Sequence, residues 1–198
     1  MSDMVDLSDL ERVNDTEVET VRGLVSGLFG DFDPHVEIKG VYFGERRHPH
    51  TVYLSETNRF LVGICIPQHQ AENPLALRAH LSHELVHCLN PNGPPPQATI
   101  LEEGLAEHSM VYLSRAFYQD QFPDYDFREM SGGEYRIAFD KIEELIGYEE
   151  LEGMRQGIRT IRTMTGLPFC QITEDDLARH FMRTPRILLE ELSQPFRN

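Results

Sequence analysis

Residues 83–87 read His83-Glu84-Leu85-Val86-His87, an H-E-x-x-H pattern. On a helix, positions four apart share a face about one turn apart, so His83 and His87 can aim two imidazoles at one metal ion. Glu84 stands one position round, about 100° from His83, within reach of a water on that metal. Zinc takes nitrogen and carboxylate ligands in a tetrahedral set and, in a catalytic site, keeps one position for water. A third protein ligand must then come from elsewhere. The motif is short, and two helix-surface histidines beside a solvated glutamate would read the same. Its weight comes from context: a capped helix carries it, and a second helix soon after holds acids at ligand spacing.

That second helix contains Leu101-Glu102-Glu103-Gly104-Leu105-Ala106-Glu107, with fifteen residues between His87 and Glu103. A proline-rich turn folds it back on the first, and packed helices lie about 8–10 Å apart, so a glutamate near its start can face the histidines. Glu103 and Glu107 are four apart and share a face, whereas Glu102 is expected to point elsewhere. Glu103 suits a direct ligand. Glu107 suits a role behind it, accepting a hydrogen bond from the far ring nitrogen of a ligand histidine and fixing its tautomer. On this reading Glu102→Gln matters far less than Glu103→Gln. Gly104, in mid-helix, costs about 1 kcal/mol against alanine, which implies a close backbone approach.

The elements that must position these groups follow from periodicity. Residues 15–29 predict an amphipathic helix, with Asn14 and Glu17 as a capping-box-like start and Gly30 as its stop. The residues before it read as a loose arm or short turn. Three strand-like runs, 35–44, 51–55 and 58–66, are rich in Val, Ile, Tyr and Phe and predict a small antiparallel sheet. Asn73 and Pro74 open the motif helix, which is expected to end near Asn90. His80 falls about 20° from His87 around it, at the edge of a cleft or partly exposed. Residues 90–97 form a stiff connector, 99–118 the second helix, and 119–133 a long acidic, aromatic loop. Further helices are predicted at 134–146, 148–164, 175–181 (capped by Thr173) and 186–192.

HELVH followed by LEEGLAEH resembles the gluzincin group of metallopeptidases, which includes thermolysin-like and aminopeptidase-like enzymes. The resemblance covers residues 60–118. It implies a zincin-like α+β fold in one domain spanning 1–198: an N-terminal helix and sheet (15–66), the active-site helices (74–118) and a helical C-terminal part (133–193). It implies Zn²⁺ held by His83, His87 and Glu103, with Glu84 as general base and Glu107 as the acid behind a ligand. Glu84 would take a proton from the activated water and pass it to the leaving amine of a peptide or protein substrate. Family members also use a downstream Tyr or His to stabilise the oxyanion; Gly132-Gly133-Glu134-Tyr135 resembles such a segment and offers Tyr135, with His108 and His180 as weaker candidates. The chain lacks a G-A-M-E-N stretch, so an aminopeptidase is not implied. The metzincin pattern fails, because Asn90 and Gly93 stand where it needs Gly and His. The alternative is a zincin-fold binding or regulatory protein with a structural metal or an occluded site.

Composition bounds the rest. The 198 residues, 40% hydrophobic, suffice for one core. The net charge of −15 repels a phosphate backbone, so no nucleic-acid partner is expected. No apolar run approaches the length of a membrane helix, and the acidic opening MSDMVDLSDLERVNDTE lacks the features of a signal peptide. Nothing in the pattern speaks to oligomeric state. Cys65, Cys88 and Cys170 are odd in number, widely spaced and form no CxxC, which reads as reduced, mostly buried thiols in a cytoplasmic protein. Thiol titration of the protein unfolded without reductant is therefore expected to count three free thiols; a count of one would reveal a disulfide and overturn the compartment assignment.

Overall fold

Helix α1, Asp15–Phe29, turns Val18, Val21, Val25, Leu28 and Phe29 inward. Asn14 caps it by accepting from the Thr16 N–H at 2.8 Å. Glu17 does not close a capping box; it pairs with Arg78 of the motif helix and ties two helices together. Gly30, at φ 89°, ends α1 in a conformation that favours glycine. The Arg162 guanidinium donates to the carbonyls of Gly30 at 3.1 Å and Asp31 at 2.8 Å beside that end, and to that of Leu89, just after the motif helix, at 3.2 Å. The computed structural model describes residues 7, 9–95 and 97–197.

The sheet corrects the expected antiparallel arrangement. Strands β1 (Glu37–Gly44), β2 (His50–Tyr53) and β3 (Leu61–Pro67) lie in the order β1-β3-β2, with β3 parallel to β1 and antiparallel to β2. Alternation in sequence does not encode strand order. What decides it is burial: β3 is buried along Val62–Pro67, and only the central position pairs the backbone groups on both its edges. The residues ahead of α1 are not a loose arm over 7 and 9–14. Val13 donates to Val41 at 2.8 Å and Phe43 to Glu11 at 2.8 Å, which covers the outer edge of β1. Leu7 packs with Val52 and Cys65 on one face of the sheet. For residues 1–6 and 8 that expectation lies outside the described residues. Among the described residues no strand pairs with the outer edge of β2, which borders a cleft.

Helix α2, Pro74–His87, begins as predicted: Asn73 accepts from the Ala76 N–H at 3.1 Å, and Pro74 needs no donor. It ends at Cys88, slightly before the predicted Asn90. The connector that follows is pinned from the sheet side, Arg59 donating to Asn90 Oδ1 at 2.8 Å and Gly93 N–H to the Tyr53 hydroxyl at 3.0 Å; Pro96 lies outside the described residues. Helix α3, Ile100–Tyr118, is capped by Thr99. Helices α4 (Gly133–Glu149) and α5 (Leu151–Thr165) break at Glu150, φ 63°, rather than at Gly147. Short α6 (Glu174–Ala178) and α7 (Arg186–Leu192) complete an α+β chain. One apolar cluster runs from Val13 through the sheet, α2 and α3 to Leu192.

Gly104 fulfils its expected purpose. A Cβ there would lie 2.5 Å from the Ala138 carbonyl oxygen and 2.6 Å from Ile142 Cγ1. Backbone cannot retreat as a flexible side chain can, so Gly104→Ala is expected to destabilise by roughly 2–3 kcal/mol. Gly147→Ala, with nothing within 4 Å of its added methyl, should instead stabilise by up to about 1 kcal/mol. Denaturant titration of both variants checks the contrast; equal effects would remove the close-approach argument.

Candidate metal centre

Helix α2 sets His83 and His87 one turn apart, with their Nε2 atoms 3.2 Å from each other. From α3, Glu103 brings Oε2 to 3.4 Å from His83 Nε2 and 3.7 Å from His87 Nε2. The triangle is the arrangement expected from the sequence. A tetrahedral ion with bonds of about 2.0–2.1 Å holds its ligand atoms roughly 3.3–3.4 Å apart, so these three atoms fit a single small cation without rearrangement.

What lies behind the triangle fixes its direction. His83 Nδ1 stands 2.9 Å from Glu107 Oε1, and His87 Nδ1 stands 2.8 Å from Glu102 Oε1. Carboxylates accept, so both Nδ1 atoms donate and both Nε2 lone pairs converge on one point. Two lone pairs at that separation repel unless a cation lies between them. Glu103 Oε2 is buried with no hydrogen-bond partner, a costly condition that a cation in the triangle relieves. Burial disfavours a charge on either ring, yet Glu103 and Glu107 hold His83 well above the usual imidazole range, and Glu103 and Glu102 hold His87 up to about 9. Burial likewise disfavours ionised Glu103, but His87 and His83 outweigh it and keep its carboxyl below the usual range. A field that favours a proton there favours any cation.

Glu102 corrects the sequence reading. It was expected to point elsewhere; instead it is 1% exposed and orients His87 as Glu107 orients His83. Its second oxygen accepts from Asn92 Nδ2 at 2.7 Å, so the connector locks it. The physical reason is that ligand rings on one helix turn their Nδ1 edges apart, and each needs its own acceptor. That requirement was legible: two histidines call for two acids, and α3 carries Glu102 and Glu107 on either side of Glu103.

The triangle lies in a cleft of about 640 Å³. Glu84, 4% exposed, lines it and accepts from the Thr51 hydroxyl of β2 at 2.9 Å, a contact the sequence reading missed. Tyr135, at the start of α4, also lines it, its ring 6.1 Å from that of His83. Phe196 packs on Tyr135 at 5.0 Å; nothing in the sequence signalled that the chain's last residues reach this cleft. His80 lines it as well, with Nδ1 2.6 Å from Gln70 Oε1. His108 and His180 do not line it; His108 pairs with Glu143 behind α3.

Comparison with protein-family models, curated proteins and solved structures finds no match for this chain.

Elemental analysis is expected to find one bound divalent metal per chain, with His83→Ala and His87→Ala losing it. Glu102→Gln and Glu107→Gln should each weaken affinity about 10–100-fold in chelator competition, since each removes the charged acceptor behind a ligand ring. Unchanged affinity in Glu102→Gln would return that residue to the minor role first expected of it.

Proposed function

We propose that the chain is a zinc-dependent peptidase of the gluzincin type, acting within peptide chains. The observation that carries this reading is the pairing of a cation-sized His83–His87–Glu103 triangle with Glu84, a buried carboxylate lining the same cleft that the triangle does not use. A structural zinc closes its shell with a fourth protein ligand and has no use for a free carboxylate beside it, whereas three ligands leave a position for water. When bound, zinc supplies a Lewis acid that lowers the pKa of water and polarises a carbonyl.

The chain's own residues do the rest. Glu84 takes a proton from the attacking water and returns it to the leaving amine. The Thr51 hydroxyl, hydrogen-bonded to Glu84 Oε2, aims the carboxylate. The Tyr135 hydroxyl donates to the substrate carbonyl oxygen as negative charge develops on it. Substrate recognition follows from the walls. Strand β2 pairs on one side with β3, and its residues His50, Thr51 and Tyr53 border the cleft, so an extended peptide can lie along its outer edge. Tyr135 and Phe196 face apolar parts of that peptide. The chain carries three free cysteines and, among the described residues, no helix long and apolar enough to cross a membrane, which accords with action in the cytoplasm.

One observation favours the alternative of a binding or regulatory protein with an occluded site. The tail is hydrogen-bonded at the cleft mouth, Ile100 N–H to Gln194 at 3.0 Å and Phe196 N–H to Ala98 at 2.8 Å. The remaining space, within the range of ordinary ligand sites, favours the peptidase.

Glu84→Gln is expected to keep metal and fold while peptide hydrolysis falls by about 10²–10⁴-fold, as for loss of a general base. Tyr135→Phe should cost less. Turnover of a mixed peptide library by the zinc-loaded proteins checks both; equal cleavage by wild type and Glu84→Gln would remove the base. If wild type cleaves nothing, the occluded-site reading is tested by ending the chain after Ser193. A cut at Arg186 would instead remove Leu188, Leu189 and Leu192 from the core.

A further inference from the structure

His80 belongs to none of the roles above, yet it lines the cleft on the same face of α2 as the two metal-facing histidines, three positions before His83. At 1.5 Å per residue this puts it about 4.5 Å further along the helix, between one and two residues of an extended peptide. Its Nδ1 lies 2.6 Å from Oε1 of Gln70, and Gln70 is 6% exposed in the turn that follows β3. An amide oxygen only accepts, so Nδ1 carries the proton and Nε2 the lone pair. Burial pushes His80 down to about 4, with the neighbouring His83 adding to the effect, so the ring is neutral. Among the described residues Nε2 has no protein partner, and it is not one of the buried unpartnered atoms, so it is open to solvent on a residue that lines the cleft.

We propose that His80 is a substrate-binding residue, its Nε2 accepting a hydrogen bond from a backbone N–H of the bound peptide one to two residues from the scissile bond. Gln70 is a positioning residue that acts through His80 by holding its tautomer. The inference rests on the peptidase reading and deepens it: an acceptor here selects a peptide chain with a free N–H at that place, and rejects proline or an N-alkylated residue there.

The test uses the full zinc-loaded chain and one peptide substrate in which each backbone N–H near the scissile bond is replaced in turn by N–CH₃. For wild type, one substitution should lower kcat/KM by roughly five- to tenfold more than it does for His80→Phe, the scale of one lost hydrogen bond. His80→Phe should lose a similar factor on the parent peptide, through KM more than kcat, with zinc content unchanged. His80→Gln, which keeps an acceptor, should recover part of it, and Gln70→Leu should lose less than His80→Phe. The same scan read by calorimetry, on Glu84→Gln and on Glu84→Gln combined with His80→Phe, gives peptide binding without turnover. If His80→Phe does not fold, His80→Gln and Gln70→Leu carry the comparison. Equal N-methyl penalties in wild type and the variants, with cleavage intact, overturn the role of His80 and leave the peptidase standing. A zinc-loaded wild type that neither cleaves nor binds any peptide overturns both.

Discussion

The interface between α2 and α3 is built on a charge imbalance that a cation in the His83–His87–Glu103 triangle would relieve. Glu84, Glu102, Glu103 and Glu107 are all less than 9% exposed, and among the described residues the basic groups paired with the last three are the imidazoles of His83 and His87. Ionised carboxylates are not buried without compensation. Glu102 and Glu107 take ring N–H donors, Asn92 adds a third, and Thr51 supplies one to Glu84. Glu103 Oε2 is left with nothing but the two converging nitrogens. The pairing that binds the two helices is therefore the same one that prepares a cation site between them.

Helix α3 can hold these groups because it is central. Leu101 to Val111 is buried without interruption, and a helix buried all round must pack against neighbours on every side. Its small residues make that possible: Gly104 admits the backbone of α4, while Ala106, Ser109 and Ser114 take little room. Rigidity of this kind suits a site in which ligand positions matter to within a fraction of an ångström. The acids sit on a helix fixed from both sides rather than on a loop.

The cleft, by contrast, is assembled from distant pieces. Its walls are β2, the connector after α2, the start of α4 and the last residues of the chain. Arg59 and Asn92 fasten the connector, and the tail is held by main-chain hydrogen bonds beside Thr99. Substitutions in these walls change the way into the triangle, whereas the triangle itself depends on α2 and α3.

The sequence alone determined the groups whose geometry is local. His83 and His87 are four apart on a capped helix, so their shared face follows from helical pitch, and the caps at Asn14 and Asn73 follow from side chains able to accept from the first turn. Glu103 and Glu107 were legible because the proline-rich turn leaves few ways for α3 to return. Glu102 was missed because a helical wheel shows which residues share a face, not that two ring edges diverge and need separate acceptors. The order β1-β3-β2, the reach of Thr51 to Glu84, the Gln70–His80 pair and the arrival of Phe196 beside Tyr135 were decided only in three dimensions. Each joins segments 10 to 61 residues apart or depends on which strand takes the buried centre, and no periodicity in a single chain records such contacts.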